Sequence, residues 1–212
     1  GVGPRPGSSG MSIPHRFWQQ LVIASGNAGK VREFRDLLQH LPLELKPQPE
    51  GMEVEETGLT FIENARLKAL AVASASGTWA LADDSGLSVN ALGGAPGVHS
   101  ARYAPTDSER IARLLRELGD GLDRRAEFRA ALCLADRAGQ ILLEVEGCCA
   151  GVITAAPRGD SGFGYDPIFE VEGTTLTFAE MEPEQKQTVG HRGRAFALLK
   201  PQLDKLLNHQ QR

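Results

Sequence analysis

The chain reads as an α/β protein built on a mixed sheet, and three observations carry that reading. Short apolar strands alternate with amphipathic helical stretches, which is the pattern of a sheet covered by helices. Two longer strand-like runs, Glu127 to Asp136 and Ile141 to Gly147, flank Asp136-Arg137-Ala138-Gly139 and form an antiparallel hairpin. No internal repeat and no long linker divides the remainder, so one continuous fold, with two lobes around a cleft, is expected over 11–212.

The opening GVGPRPGSSG, Gly1 to Gly10, has no apolar period and precedes Met11; it is expected to be a remnant of an expression tag or a disordered leader. Gln20 to Ala24 is a strand ended by Ser25-Gly26-Asn27. A helix from about Ala28 to His40 follows, because Val31, Phe34, Leu37, Leu38 and Leu41 share a face. Leu43 to Lys46 alternates as a second strand, and Pro47 to Thr57 is a polar, acidic loop. Thr60 and Glu63 form a capping box, after which Ile62, Ala65, Ala69 and Val72 line a helix ending near Ser76-Gly77. Thr78 to Ala82 is a strand that Asp83-Asp84-Ser85-Gly86 should stop, and Ala91 to Tyr103 is a shaped glycine-rich loop. Thr106 and Glu109 cap another helix, striped by Ile111, Leu114, Leu115 and Leu118. Val152 to Thr154 continues the sheet, a Gly/Pro-rich segment covers Pro157 to Pro167, and a last helix runs from about Gly193 to Asn208, bent or restarted at Pro201.

Composition narrows the function. Lys and Arg total 23 against 27 Asp and Glu, a net charge of −4, so the basic excess of a nucleic-acid polymer binder is missing. Cys133, Cys148 and Cys149 make neither a disulfide framework nor a Cys-x-x-Cys zinc pair, which suits a reduced cytoplasmic setting. No apolar run is long enough to cross a bilayer.

Five segments carry candidate chemistry. Ser25-Gly26-Asn27-Ala28-Gly29-Lys30 joins a strand to a helix N-terminus and ends on a cation. It suits an anionic phosphate, or it is an ordinary turn capped by Asn27; it matches neither the P-loop nor the dinucleotide fingerprint. Asp83 and Asp84 stand at a strand end, where they hold Mg²⁺ and polarise water or serve as turn residues. From an extended backbone both cannot point one way, so one faces the site while the other orients it. Glu53, Glu55 and Glu56 are a solvated cluster unless the loop folds back toward Asp84. Ser161 to Pro167 offers Phe163 and Tyr165 as base-stacking rings or core anchors, with Asp166 as an acceptor. Lys186, His191, Arg192 and Arg194 gather before the final helix, against the preference of its dipole, and suit a base edge or a triphosphate.

Taken together, SGNAGKVREF, EETGLTFIENARLKA, ADDSGLSVNALGGAPGVHSARYA, GFGYDPIF and Lys186 with His191-Arg192 resemble, in order and spacing, the bacterial branch of the HAM1/RdgB-like family of inosine triphosphate pyrophosphatases, from about Leu21 to Leu207. The resemblance implies an elongated mixed α/β fold of two lobes with the active site between them, and a homodimer. It implies hydrolysis of the α–β phosphate bond of ITP, dITP and XTP to a monophosphate and pyrophosphate, with Mg²⁺. On that basis Ser25, Gly26, Asn27, Ala28, Gly29 and Lys30 would hold the triphosphate, with Lys30 also serving catalysis. Asp84 would accept a proton and, with Glu55, bind metal, and Ser85 would lie beside the substrate. Phe163, Gly164, Tyr165, Asp166, Lys186, His191 and Arg192 would recognise the base. Gly190 departs from the family pattern, in which Ser is common before His-Arg, and is expected to loosen that turn. Two other readings stand beside this one: a dUTP-type or broader nucleotide pyrophosphatase, and a nucleotide-binding regulatory module without hydrolysis.

Overall fold

The computed structural model describes residues 13–210, so the expectation for Gly1 to Gly10 lies outside the described residues. One six-stranded sheet runs in the order β2-β1-β3-β4-β5-β6. β1 (Gln19–Ala24) pairs in parallel with β2 (Leu43–Pro47) and β3 (Trp79–Val89). β3, β4 (Arg125–Ala135), β5 (Ile141–Ile153) and β6 (Phe169–Val171) pair antiparallel. The predicted mixed sheet is therefore present, with its parallel half at the N-terminal edge and the hairpin at its centre.

The helices follow from where the apolar residues lie. In β1, Leu21 and Ile23 enter the core beneath α1 (Ala28–Leu38) and α5 (His191–His209). Val22 and Ala24 enter the opposite core beneath α2 (Phe61–Ser76). Both faces of this strand are covered, as a buried parallel strand requires. The α2 side is lined by Ala65, Ala69 and Ala73 against Ala80, Ala82 and Ala131, so small residues let helix and sheet approach closely. A further core gathers α3 (Asp107–Leu118), the far end of β3 and β4, and the 165–181 segment around Phe128, Phe169 and Phe178. α4 (Pro183–Val189) leads directly into α5.

Three sequence expectations are corrected. Asp83-Asp84-Ser85-Gly86 does not stop β3; the strand continues to Val89 because β4 pairs with it from Ala80↔Ala135 to Val89↔Ala126. Ile141 to Gly147 and Val152 to Ile153 are one strand, β5, since Cys148 to Gly151 also pair with β4. The last helix begins at His191, two residues earlier than expected, and runs through Pro201 without ending.

Gly147 sets how closely α5 lies on the sheet. A Cβ there would stand 2.4 Å from the Ala195 amide nitrogen and 2.5 Å from the His191 carbonyl oxygen, both backbone atoms. Gly147→Ala should therefore lift α5 and destabilise the protein by about 1–3 kcal/mol, the usual range for overpacking. The measurement is the urea midpoint at unchanged slope; a wild-type midpoint would mean that α5 moves at no cost.

Candidate active site

β1 ends at Ala24, opposite Ala82, whereas β3 runs on. The chain leaving β1 thus turns away beside Asp83 and opens a crevice at the sheet's parallel half, the location α/β proteins use for ligands. The Ser25 hydroxyl accepts from the Asn27 amide at 3.1 Å. The Asn27 side chain then caps α1 by accepting from the Lys30 amide at 3.1 Å. Gly26, Asn27 and Ala28 are exposed at this turn, while Gly29 is buried.

Alternation along β3 sends the two carboxylates to opposite sides. Asp83 shares the face of Leu81, under α1 and α5; Asp84 shares the face of Ala82, under α2. Asp83 meets two cations, one from α1 and one from α5, and Asp84 meets one from α2. Asp83 Oδ1 lies 2.7 Å from Lys30 Nζ, and its Oδ2 accepts from Arg192 Nε at 3.3 Å. Ser85 Oγ donates to Asp83 at 3.0 Å and accepts from Arg192 Nη2 at 2.8 Å. The remaining Arg192 arm pairs with Glu33, one helical turn beyond Lys30 on α1. Glu33 also takes the Lys186 ammonium at 2.5 Å, and that ammonium reaches Asp166 Oδ2 at 2.6 Å. Lys30, Asp83, Arg192, Glu33, Lys186 and Asp166 form one connected network.

On the α2 side, Lys68 Nζ lies 3.0 Å from Glu56 Oε1 and 3.6 Å from Asp84 Oδ1, and donates to the Asp83 carbonyl. Asp84 Oδ2 is buried without a hydrogen-bond partner. The acidic loop does fold back, but Glu56 is the residue it brings toward Asp84. Glu55 is exposed, with no ion pair among the described residues. Strand-like alternation of exposure along Glu53 to Glu56 decides which carboxylate turns inward. An orphaned carboxylate oxygen with a second carboxylate close by fits a divalent ion that takes its other ligands from phosphate and water, as Mg²⁺ does.

Charge environments differ accordingly. Burial acts to raise the Asp83 carboxyl, but Lys30 and Arg192 outweigh it and hold Asp83 well below the usual carboxylate range. Burial pushes Asp84 up to about 6, with Lys68 opposing and Glu56 adding to the rise. Burial, reinforced by Arg192 and Lys186, lowers the His191 imidazole well below its usual value and keeps it neutral.

Across the crevice the 163–166 loop completes a cavity reached by Ser85, Phe163, Asp166, His191 and Arg192. His191 is buried and stacks on Phe128, with centroids 4.7 Å apart and planes 11° apart; its Nδ1 has no partner. Tyr165 is buried, and its hydroxyl donates to the Ser100 carbonyl at 2.6 Å, so its ring anchors the loop in the core. Asp166 accepts from the Phe163 amide at 3.2 Å and from Lys186, fixing the turn that carries Phe163. Gly164 donates its amide to Asp107 Oδ2 at 2.9 Å. The Gly190 turn is tight: its amide donates to the Lys186 carbonyl at 2.7 Å, and a Cβ would lie 2.5 Å from that oxygen. Sequence reasoning missed Lys68, Glu33 and Asp107. Glu33 alone carried a signal, its i,i+3 spacing from Lys30 on one helix face.

A glycine-rich strand–helix turn beside Lys30 and Arg192, with an unpartnered Asp84 oxygen on the other face of β3, defines an α/β protein equipped to hold a polyanion near a metal-fitting acid pair. The family model described as the Ham1 family matches residues 21–202, and the chain belongs to that family. A protein of Parasynechococcus marenigrum strain WH8102, called dITP/XTP pyrophosphatase, is 67% identical over 192 residues, covering 91% of this chain and 98% of the relative. The structure of a HAM1 protein from Coxiella burnetii aligns with a TM-score of 0.80 at 42% identity, covering 88% of this chain and 99% of that one. The Staphylococcus aureus Ham1 protein gives 0.78 at 39% identity, with the same coverage of both chains.

The raised Asp84 makes a prediction whose sign is opposite to that for a paired acid. Its ordinary value is 3.8 and its folded value about 6, so between these the folded protein keeps a proton that the unfolded chain has released. The associated stability is present below pH 4 and is lost as pH rises through 6, a loss of up to about 3 kcal/mol at neutral pH. In metal-free buffer Asp84→Asn should therefore be more stable than wild type at pH 8 and lose that advantage at pH 4. Urea midpoints at the two pH values check this; equal midpoints at pH 8 would mean that the buried charge is compensated.

Proposed function

We propose that the protein is a nucleoside triphosphate pyrophosphohydrolase that removes the non-canonical purine nucleotides dITP, ITP and XTP. The observation that carries the proposal is the pair of environments on β3: Asp83 locked among cations, and Asp84 buried, with one oxygen 3.6 Å from Lys68 and the other without a partner. The names of the Ham1-family relatives point the same way.

In this reading Ser25 to Ala28 of the turn, together with Lys30, hold the triphosphate, whose negative charges would otherwise repel an attacking water. Asp84 and Glu56 hold Mg²⁺, with Glu55 the less favoured candidate. Held there, Mg²⁺ would supply charge neutralisation at the phosphates and Lewis-acid activation of water. Water attacks the α-phosphorus, the α–β bridging oxygen leaves with pyrophosphate, and Asp84 accepts the water's proton.

Hypoxanthine and xanthine carry an oxygen at purine C6 where adenine carries an amine. Donors at Arg192 and neutral His191, with Phe163 as a wall and Lys186 behind it, read that oxygen, and adenine leaves a donor unmatched at about 1–3 kcal/mol. Tyr165 and Asp166 support the loop in this scheme. The homodimer and the cytoplasmic location belong to the same reading and rest on the family resemblance. No described helix is long and apolar enough to cross a membrane.

Product analysis tests the bond cleaved. ITP with Mg²⁺ should give IMP and pyrophosphate, and IDP with orthophosphate as first products would place attack at the γ-phosphate and overturn the proposal. Asp84→Asn should remain folded and lose at least about 100-fold in turnover at saturating Mg²⁺, the lower end for a positioned acid–base group. Binding without pyrophosphate release by the wild type, across a panel of dITP, dUTP and GTP, would instead favour a regulatory module.

Base selection is tested separately. Lys30→Ala should weaken ITP, XTP and GTP alike, whereas His191→Ala should narrow the ITP-to-ATP ratio of kcat/KM, with circular dichroism confirming the fold. An equal loss for both substrates in His191→Ala would remove His191 from base reading.

A further inference from the structure

Gly29 is the second residue of α1 and is buried, yet neither usual reason for a glycine applies there. Its backbone is helical rather than left-handed, and within a helix glycine is the poorer choice than alanine by up to about 1 kcal/mol. What requires the missing side chain is a ring from the other side of the crevice. A Cβ on Gly29 would stand 2.4 Å from Phe163 Cδ1, 2.6 Å from Cγ and 2.8 Å from Cε1. Its three nearest neighbours all belong to that one ring, and none is backbone.

The ring is fixed from its own side as well. Its amide donates to Asp166 Oδ2 at 3.2 Å, and the Lys186 ammonium lies 4.7 Å from its centroid, within cation–π range. Phe163 also separates two adjoining cavities, one reached by Ser85 and His191 and the other by Arg32 and Met181. A shift of this ring would enlarge one cavity at the expense of the other.

We infer that Gly29 is a specificity-determining position that acts through Phe163: its bare Cα seats the aromatic wall of the base cavity on the first turn of the phosphate-side helix. The glycine serves the base, although it lies in the segment that faces the phosphates. The ligand class it serves is a nucleotide with a planar purine, and in this respect the inference rests on the function proposed above.

Four proteins test it: wild type, Gly29→Ala, Phe163→Ala and the double variant, with Phe163→Leu as a second background should Phe163→Ala fail to fold. Calorimetric binding of ITP and of inorganic tripolyphosphate, without divalent metal, is the readout. Gly29→Ala should weaken ITP by about tenfold, part of the worth of a base–aromatic stack, and change tripolyphosphate by less than about twofold. In the Phe163→Ala background Gly29→Ala should add less than about twofold, because the clash is gone. An equal loss for ITP and tripolyphosphate, or the same factor in both backgrounds, would overturn the inference and return Gly29 to the phosphates. A wild type that binds ITP but releases no pyrophosphate with Mg²⁺ defeats the proposed activity and leaves this binding cycle readable.

Discussion

Asp83 is the group on which the arrangement of the site depends. It is buried at the middle of the sheet, where an isolated carboxylate would be strongly unfavourable. Lys30 from the N-terminal turn and Arg192 from the last helix must both reach it. Removing one partner of such a pair leaves an uncompensated buried charge, worth about 3–5 kcal/mol. The network extends through Glu33 to Lys186 and Asp166, so the first loop, the central strand, the 163–166 turn and the C-terminal helices are positioned by one set of charges. Residues 153 and 159 positions apart in sequence meet at Glu33.

The neighbouring Asp84 shows how little sequence distance is needed to give one residue type two roles. The two aspartates are adjacent on a strand, and alternation alone places one beneath α1 and α5 and the other beneath α2. One side supplies two close cations and keeps its carboxylate ionised; the other supplies Lys68 at a longer distance, adds Glu56, and leaves an oxygen unpaired. Environments that push the values of two adjacent acids apart leave one ionised and let the other keep a proton to about pH 6.

Local signals in the sequence located most of the elements. The stripe from Val31 to Leu41 and the caps at Thr60 and Thr106 report interactions within a few residues, and α1, α2 and α3 follow them. β3 was misread where it matters most, because Asp-Asp-Ser-Gly is turn composition and only pairing with β4 makes it a strand. β5 was split for a similar reason: Gly147 and Gly151 look like breaks until α5 and β6 are laid against them. In the site, Lys30, Ser85, Phe163, Asp166, Lys186, His191 and Arg192 are named from sequence and line one cavity, whereas Asp84, also named, lies on the other face of β3 beside Lys68. Tyr165 was named too, but its hydroxyl bond to Ser100 makes it an anchor. The choice of Glu56 over Glu55, and the presence of Lys68, depend on which way a loop and a helix face once packed. Neighbouring residues along the chain do not report that.

Lys68 also bears on how the chain exists before any ligand arrives. Its ammonium sits between Glu56 and Asp84 at 3.0 and 3.6 Å, so the acidic pair carries a counter-ion of its own. The two carboxylates are thus brought together in the folded chain around a cation that α2 itself supplies.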